Sequence, residues 1–173
     1  MPVVDLVLEA GLLYDAERGA VIAGGCAAVV AGGRIIASGQ RSSIDPTVLA
    51  AAARTFRFGE DAMLTPGLID LHCHVDPTGL VSRYGLDPDE HYLPRGVTTV
   101  LSQGDAGSAT WAAYSVAVQG CHTRCLMAMN ILSAGESPNY FAAHPDGKPP
   151  IPLQQTSAAR AAQHQDGSAA ARR

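Results

Sequence analysis

The feature that most constrains the fold is an alternation of apolar strand-like runs with helical segments between residues 63 and 131. Strand-like and helical segments follow one another in the order 68–74 (strand), 87–96 (helix), 97–101 (strand), 110–119 (helix) and 124–131 (strand). Strands that are apolar along their whole length and are separated by helices form parallel sheets covered on both faces. We therefore predict an α/β fold for this part of the chain.

A different pattern precedes it, with short apolar runs separated by glycine. Residues 26–30 and 34–38 flank Gly32-Gly33, which predicts a tight hairpin because glycine accepts the positive φ of such turns. Asp45 and Pro46 are typical of a helix start, with Asp45 as the N-cap, and we predict a short helix that runs through Arg54. The sequence thus predicts a small β-rich region before the α/β region.

The end of the sequence has a third character. Residues 154–173 contain no Val, Ile, Leu, Met, Phe, Tyr or Trp, so they have nothing to bury and are predicted to be disordered or a solvated helix. We divide the 173-residue chain into a β region (1–62), an α/β region (63–140) and this low-complexity tail (141–173).

Charge and composition exclude several function classes. The net charge is −4 and basic residues form no run before Arg172-Arg173, so nucleic acid is not an expected partner. No apolar run reaches the roughly 20 residues that a membrane span needs. The first nine residues carry two acids and no base, unlike a signal peptide, and the four cysteines are expected to be free thiols. We expect a cytoplasmic protein.

The sharpest chemical feature is His72-Cys73-His74 at the end of the first α/β strand. Because side chains alternate across a strand, His72 and His74 are predicted to share a face and to chelate one metal ion. Asp70 has the same parity and is predicted to orient a ligand or to sit beside the metal. The alternative is that two histidines at this spacing are ordinary polar residues near a surface.

The stretch Thr65-Pro-Gly-Leu-Ile-Asp-Leu-His-Cys-His74 resembles the first-strand signature of the amidohydrolase superfamily. Further segments carry the same resemblance and point to the dihydroorotase-related and deacetylase branch, near the N-acyl-D-amino-acid deacylases: 5–11, 29–39, 85–89, 95–100, 104–108, 128–131 and 135–136. The resemblance implies a partial (β/α)8 barrel of about three strands, preceded by part of a small β-sandwich.

In the enzymes that this sequence resembles, a divalent metal ion, most often zinc, supports hydrolysis of a C–N amide bond. The resemblance implies that His72 and His74 hold the ion and that Asp70 and Asp76 lie in its second shell or on the substrate side. Dihydroorotases have a substrate-binding arginine where this sequence has Asp76. The implied substrate is therefore a small N-acyl or N-acetyl metabolite.

The resemblance also implies ligands that the sequence does not supply. These are a carboxylated lysine on strand four, histidines on strands five and six, and an aspartate on strand eight. The single lysine, Lys148, lies in a Gly-Lys-Pro-Pro loop, and a complete barrel takes roughly 250 residues. We expect a truncated or frame-shifted product, or one half of a split enzyme, that is inactive alone.

Several alternatives stay open. The chain could be a non-catalytic interaction or assembly module, a pseudo-enzyme fragment, or a small metal-binding domain that uses His72, His74 and a cysteine. The pattern Cys121-His122-x-x-Cys125 looks like half a zinc site but has no matching second half. The glycine loop 104–108 is predicted to be a βα loop at the active-site face and not a phosphate cradle. The sequence leaves the substrate, the metal and the oligomeric state open.

Overall fold

The computed structural model describes residues 3–136, and the chain divides into two compact units, Met1–Pro66 and Gly67–Arg173. Eight strands and three α-helices follow one another: β1 (Val4–Asp15), β2 (Ala20–Ala31), β3 (Arg34–Gln40), α1 (Pro46–Ala50), β4 (Ala52–Arg57), β5 (Met63–Leu64), β6 (Leu68–Cys73), α2 (Pro88–His91), β7 (Val97–Gln103), α3 (Trp111–Val118) and β8 (Arg124–Ala128). The predicted tail, residues 141–173, lies outside the described residues, as do residues 137–140 at the end of the preceding region.

The first unit contains one five-stranded sheet. Its strand order is β3-β2-β1-β4, and β5 pairs with the far end of β1. The β1–β2 and β2–β3 pairs are antiparallel, whereas β4 and β5 run parallel to β1. Because Met63 and Leu64 pair with Leu12 and Leu13, this sheet includes residues that the sequence analysis assigned to the following region.

The hairpin predicted around the glycine pair is confirmed. β2 and β3 pair from Ala31↔Arg34 outward, so the loop consists of Gly32 and Gly33 alone. Both glycines have positive φ values, 57° and 71°, which is what a two-residue turn of type I′ requires. The turn geometry therefore follows from the residue type at these two positions.

The short helix begins as predicted but ends earlier. The Asp45 side chain accepts a hydrogen bond from the Thr47 backbone nitrogen at 2.8 Å, and Pro46 occupies the first turn. The prediction that the helix runs through Arg54 was wrong, because α1 ends at Ala50 and β4 begins at Ala52. Pairing of β4 with β1 gives the backbone of this segment long-range partners, which outweigh its local helical preference.

The second unit contains the parallel sheet that the alternating pattern predicted. Its order is β6-β7-β8, with both pairs parallel. The predicted helix 87–96 is divided into α2 and a 3-10 turn at Leu93–Arg95, and it ends at Gly96 with a φ of 82°. Pro94 lacks the amide hydrogen that a continuous helix would use, which explains the tighter second half.

The helices cover one face of the three-stranded sheet. Tyr114 of α3 packs against Met127 of β8, and Val118 packs against Val100 and Cys73. Four large apolar side chains of the outer strands are 43–68% exposed: Leu68, Ile69, Leu71 and Leu126. Within residues 3–136 the prediction that both sheet faces are covered was therefore wrong. Over the same residues, no helix has both the length and the apolarity needed to cross a membrane.

Candidate metal centre

The chemistry-bearing side chains lie at the carboxyl-terminal edge of the parallel sheet. His72 is the second-to-last residue of β6, and His74 is the first residue after that strand. Asp105 is the second residue after β7. Asn130 follows β8 in the same way, and its side chain donates a hydrogen bond to the Gly104 carbonyl at 2.8 Å. Parallel strands end at one edge of a sheet, which is where open α/β proteins and barrels build their sites.

The rings of His72 and His74 lie near each other, and their role as ligands of one metal ion stays a prediction. Their ring centres are 6.2 Å apart and the ring planes are inclined by 70°. Because a zinc–nitrogen bond is about 2.0–2.1 Å long and the ligands of zinc are arranged as a tetrahedron, two imidazoles on one ion have ring centres roughly 5 Å apart. The observed separation of 6.2 Å is longer, so the two rings must move closer together to share one zinc ion. His72 is exposed and the His74 side chain is 34% exposed, so both rings are accessible to an ion.

A buried carboxylate, Asp105, holds the second histidine. Its Oδ1 lies 2.9 Å from His74 Nδ1 and accepts a hydrogen bond from the Ser82 hydroxyl at 2.5 Å. Its Oδ2 accepts from the Val75 backbone nitrogen at 3.1 Å and from the Ser102 hydroxyl. The Asp105 side chain has no exposed surface. We call Asp105 and these four hydrogen-bonding partners the carboxylate clasp.

Asp105 was not among the sequence-predicted site residues, although the loop 104–108 was expected at this edge. No local motif identifies it, because its partners lie three to 31 residues away along the chain. The available signal was its position: it follows the strand next to the His-x-His strand, so parallel pairing brings both strand ends together. Sequence reasoning that compared strand ends, in place of single motifs, would have found it.

The prediction that Asp70 sits beside the metal depends on strict alternation of side chains along β6, and it stays a prediction. The pairing of β6 with β7 shifts register between Asp70 and Cys73, which interrupts the alternation on which the prediction rested. The Asp70 carboxylate accepts a hydrogen bond from the His72 backbone nitrogen at 3.0 Å. Burial raises the pKa of the Cys73 thiol to about 11, and the negative charge of Asp70 contributes to that rise. Asp70 therefore holds the backbone of His72 by a hydrogen bond and helps to raise the pKa of the Cys73 thiol.

Asp76 is buried and organises the loop that follows the histidines. Its carboxylate accepts hydrogen bonds from the backbone nitrogens of Thr78, Val81 and Ser82 at 2.6–2.9 Å and from the Thr78 hydroxyl at 2.7 Å. Although burial favours the neutral acid, these hydrogen bonds hold the pKa of Asp76 below its ordinary value. A role of Asp76 toward metal or substrate stays a prediction, and its contacts favour support of the loop.

An aromatic side chain of that loop lies against the candidate ligand. The Tyr84 ring centre is 5.8 Å from the His74 ring centre, and Tyr84 is 53% exposed. The Arg83 guanidinium carbon lies 4.5 Å from the centre of the Tyr84 ring, and Arg83 Nε is 3.6 Å from a Glu136 carboxylate oxygen. The sequence analysis did not identify Tyr84, which lies twelve residues after His72.

Within residues 3–136, no group of three or more His, Cys, Asp or Glu side chains is arranged to hold a metal ion. A zinc ion held by His72 and His74 would need at least one further ligand. The pattern Cys121-His122-x-x-Cys125 does not form a zinc site in the described chain either. Burial raises the pKa of Cys125 to about 12, which opposes the thiolate form that zinc binds.

Solved structures with a similar fold were found, whereas no family model and no curated protein matches the sequence. A dihydroorotase is 24% identical with a TM-score of 0.69, over 92% of this chain and 40% of that structure. An adenine deaminase is 19% identical with a TM-score of 0.65, over 90% of this chain and 37% of that one. L-Hydantoinase (dihydropyrimidinase) from Arthrobacter aurescens is 18% identical with a TM-score of 0.52, over 83% and 31%.

The chain therefore has a fold similar to part of each of these three structures, and the resemblance predicted from the first-strand signature is confirmed at the level of fold. The described parallel sheet corresponds to a partial barrel. The chain spans 40% or less of the length of the three structures named above.

Proposed function

We propose that this chain is part of a metal-dependent hydrolase that cleaves the C–N amide bond of a small N-acyl metabolite. The observation that carries the proposal is the pair of adjacent imidazoles, His72 and His74, at the carboxyl-terminal edge of a parallel sheet. The fold supports it, because the similar structures include a dihydroorotase and a hydantoinase.

The two histidines fit a divalent ion such as zinc. Imidazole nitrogens are zinc ligands, and catalytic zinc sites have three protein ligands and one open position. His72 and His74 would provide two of the three. A bound ion supplies a water of lowered pKa and polarises the carbonyl that is attacked. The chain's own contribution is to hold the two rings together and to keep their outer edges accessible.

The loop after the histidines supports an N-acyl substrate over dihydroorotate. The Asp76 carboxylate is occupied by donors of its own loop, so neither its charge nor its contacts suit a substrate carboxylate. The exposed ring of Tyr84, beside His74, offers a flat apolar surface to a substrate at the same edge. Such a surface suits the hydrocarbon part of an acyl group.

Metal binding by the purified 173-residue chain is the first test. We expect calorimetric titration with Zn²⁺ to show weak binding at one site, because two ligands are fewer than a catalytic site contains. His72→Ala and His74→Ala should each abolish that binding. His91→Ala is the matched control, since His91 is exposed and its Nδ1 lies near the Asp87 carbonyl. The proposal is contradicted if zinc binding survives both substitutions. It is also contradicted if the unaltered chain binds no zinc.

The same chain should not turn over N-acetyl amino acids, because the described residues provide no third ligand. Acetate release is the measurement, with the zinc-loaded chain as the sample. Turnover that is lost in His74→Ala would support the hydrolase assignment and overturn the expectation of inactivity. Turnover that is unaffected by His74→Ala would come from another site and contradict both.

A second candidate is an assembly piece, which the open side of the three-stranded sheet favours. Leu68, Ile69 and Leu71 of β6 are 54–68% exposed, more apolar surface than an edge strand ordinarily leaves open. The occupant that suits this surface is a polypeptide that supplies further strands of the barrel. Light scattering of the unaltered chain and of Leu71→Asp tests self-assembly through this surface: a large assembly that becomes a monomer in Leu71→Asp supports the assembly role, and a monomer in both samples excludes self-assembly as that role.

A further inference from the structure

The carboxylate clasp does more than tie the sheet edge together. We infer that Asp105 is a positioning residue that fixes the tautomer of His74, so that Nδ1 carries the proton and Nε2 offers its lone pair to a metal ion. That the Nε2 lone pair binds a metal ion rests on the proposed function. The tautomer itself follows from the contacts of Asp105.

The donors and acceptors around the Asp105 carboxylate decide which nitrogen of His74 carries the proton. The Val75 backbone nitrogen is a donor and an ionised carboxylate only accepts, so Oδ2 accepts from Val75. The Ser82 hydroxyl donates to Oδ1, and the Ser102 hydroxyl donates to Oδ2. With both oxygens accepting, the contact of 2.9 Å to His74 places the proton on Nδ1. A neutral imidazole with Nδ1 protonated has Nε2 as its acceptor.

The Asp105 side chain is also held rigidly in place. Asp105 is fully buried, and of its four partners three, His74, Val75 and Ser82, lie between β6 and α2, while Ser102 lies in β7. The backbone around it is close-packed: a Cβ added to Gly135 would lie 2.4 Å from the Asp105 carbonyl oxygen. The carboxylate cannot turn away without breaking several hydrogen bonds at once. His74 is therefore held in one tautomer and one ring orientation before any ion binds.

The substitution Asp105→Asn has a definite consequence in this geometry. The amide nitrogen must occupy one of the two oxygen positions. The Oδ2 position faces the Val75 N–H, a donor that cannot rotate, whereas the Oδ1 position faces His74 and a hydroxyl that can. The amide nitrogen is therefore expected toward His74, where it donates to Nδ1. His74 then moves its proton to Nε2 and loses the lone pair that a metal requires.

The test uses the full 173-residue chain labelled with ¹⁵N in its histidines. At a pH where imidazoles are neutral, the ¹⁵N shifts of the His74 ring should show Nδ1–H in the unaltered chain and Nε2–H in Asp105→Asn. The spectrum of His74→Gln assigns the signals. Zinc affinity should fall about 10- to 100-fold in Asp105→Asn, as for outer partners of zinc-bound histidines.

Asp89→Asn is the control, because Asp89 accepts three hydrogen bonds from His122 and Thr123 and does not contact His74. It should leave the His74 tautomer unchanged and zinc affinity within about threefold, below the effect expected for an outer partner. Nε2–H in the unaltered chain overturns the inference, even if Asp105→Asn does not fold. An unchanged tautomer in a folded Asp105→Asn also overturns it. If the unaltered chain binds no zinc, the proposed function fails, while the tautomer still decides the role of Asp105.

Discussion

The two units of this chain are organised by different interactions. In the first unit, the two antiparallel pairs form long backbone ladders, each with a register shift, and the core is made of apolar side chains such as Val7 and Val29. In the second unit, the strands are shorter, and their carboxyl-terminal edge is held by buried carboxylates that accept several hydrogen bonds each. The first unit is thus stabilised mainly by backbone pairing between strands. In the second unit, individual polar side chains hold the edge of the sheet where the two histidines lie.

The largest effect that would sharpen this comparison is expected at Gly135. Its φ of 59° and the 2.4 Å between an added Cβ and the Asp105 carbonyl oxygen make alanine both strained and obstructed. We expect Gly135→Ala to lower the free energy of unfolding by about 3 kcal/mol or more. Urea unfolding followed by the fluorescence of Trp111, the single tryptophan, measures it in the second unit.

Gly120→Ala is its control, because a Cβ at Gly120 meets nothing within 4 Å and φ is not positive there. The same unfolding midpoint for Gly135→Ala and Gly120→Ala would show that the edge is loosely packed, and the contrast between the two units would disappear.

A smaller effect, about 2 kcal/mol at pH 7, is expected for Asp76→Asn, since hydrogen bonds to a charged acceptor are worth about 1.5–3 kcal/mol. The pKa of Asp76 is lowered in the folded chain, so its charge stabilises the fold above the unfolded pKa. That stabilisation is lost as the pH falls through the folded pKa, which lies below the ordinary pKa of an aspartate.

Paired urea titrations of the unaltered chain and Asp76→Asn between pH 7 and pH 3 check this prediction. The difference in free energy of unfolding should be constant near neutrality and shrink in acid. A difference that does not change with pH would mean that the loop depends on the shape of the side chain and not on its charge.

The smallest effect is expected in the first unit, at the hairpin turn. Gly32 has a φ of 57°, similar to that of Gly135, but a Cβ there meets nothing within 4 Å. Gly32→Ala should therefore cost only the strain of the left-handed conformation, about 1 kcal/mol. Far-UV circular dichroism during urea unfolding measures it. Gly32→Asn should cost less, because asparagine tolerates this conformation; a loss equal to that of Gly135→Ala would contradict the comparison.

The sequence predicted these two kinds of structure unequally. The glycine hairpin, the Asp45 cap and the parallel sheet follow from local residue preferences, and all three are confirmed. The end of α1 was wrong because strand pairing with β1 outweighs helical preference. At the site, the adjacency of His72 and His74 follows from their spacing. The register shift at Asp70 and the partners of Asp105 do not, because both depend on pairing between distant segments.

The hydrogen bond between His74 and Asp105 also has a consequence for the order of events in folding. Its two partners are 31 residues apart, so closing it costs chain entropy that only prior pairing of β6 with β7 can offset. During synthesis, His74 leaves the ribosome well before Asp105 and has no fixed orientation until the second strand has joined the first. The His74 ring thus takes up its fixed orientation late in folding, after β6 and β7 have paired.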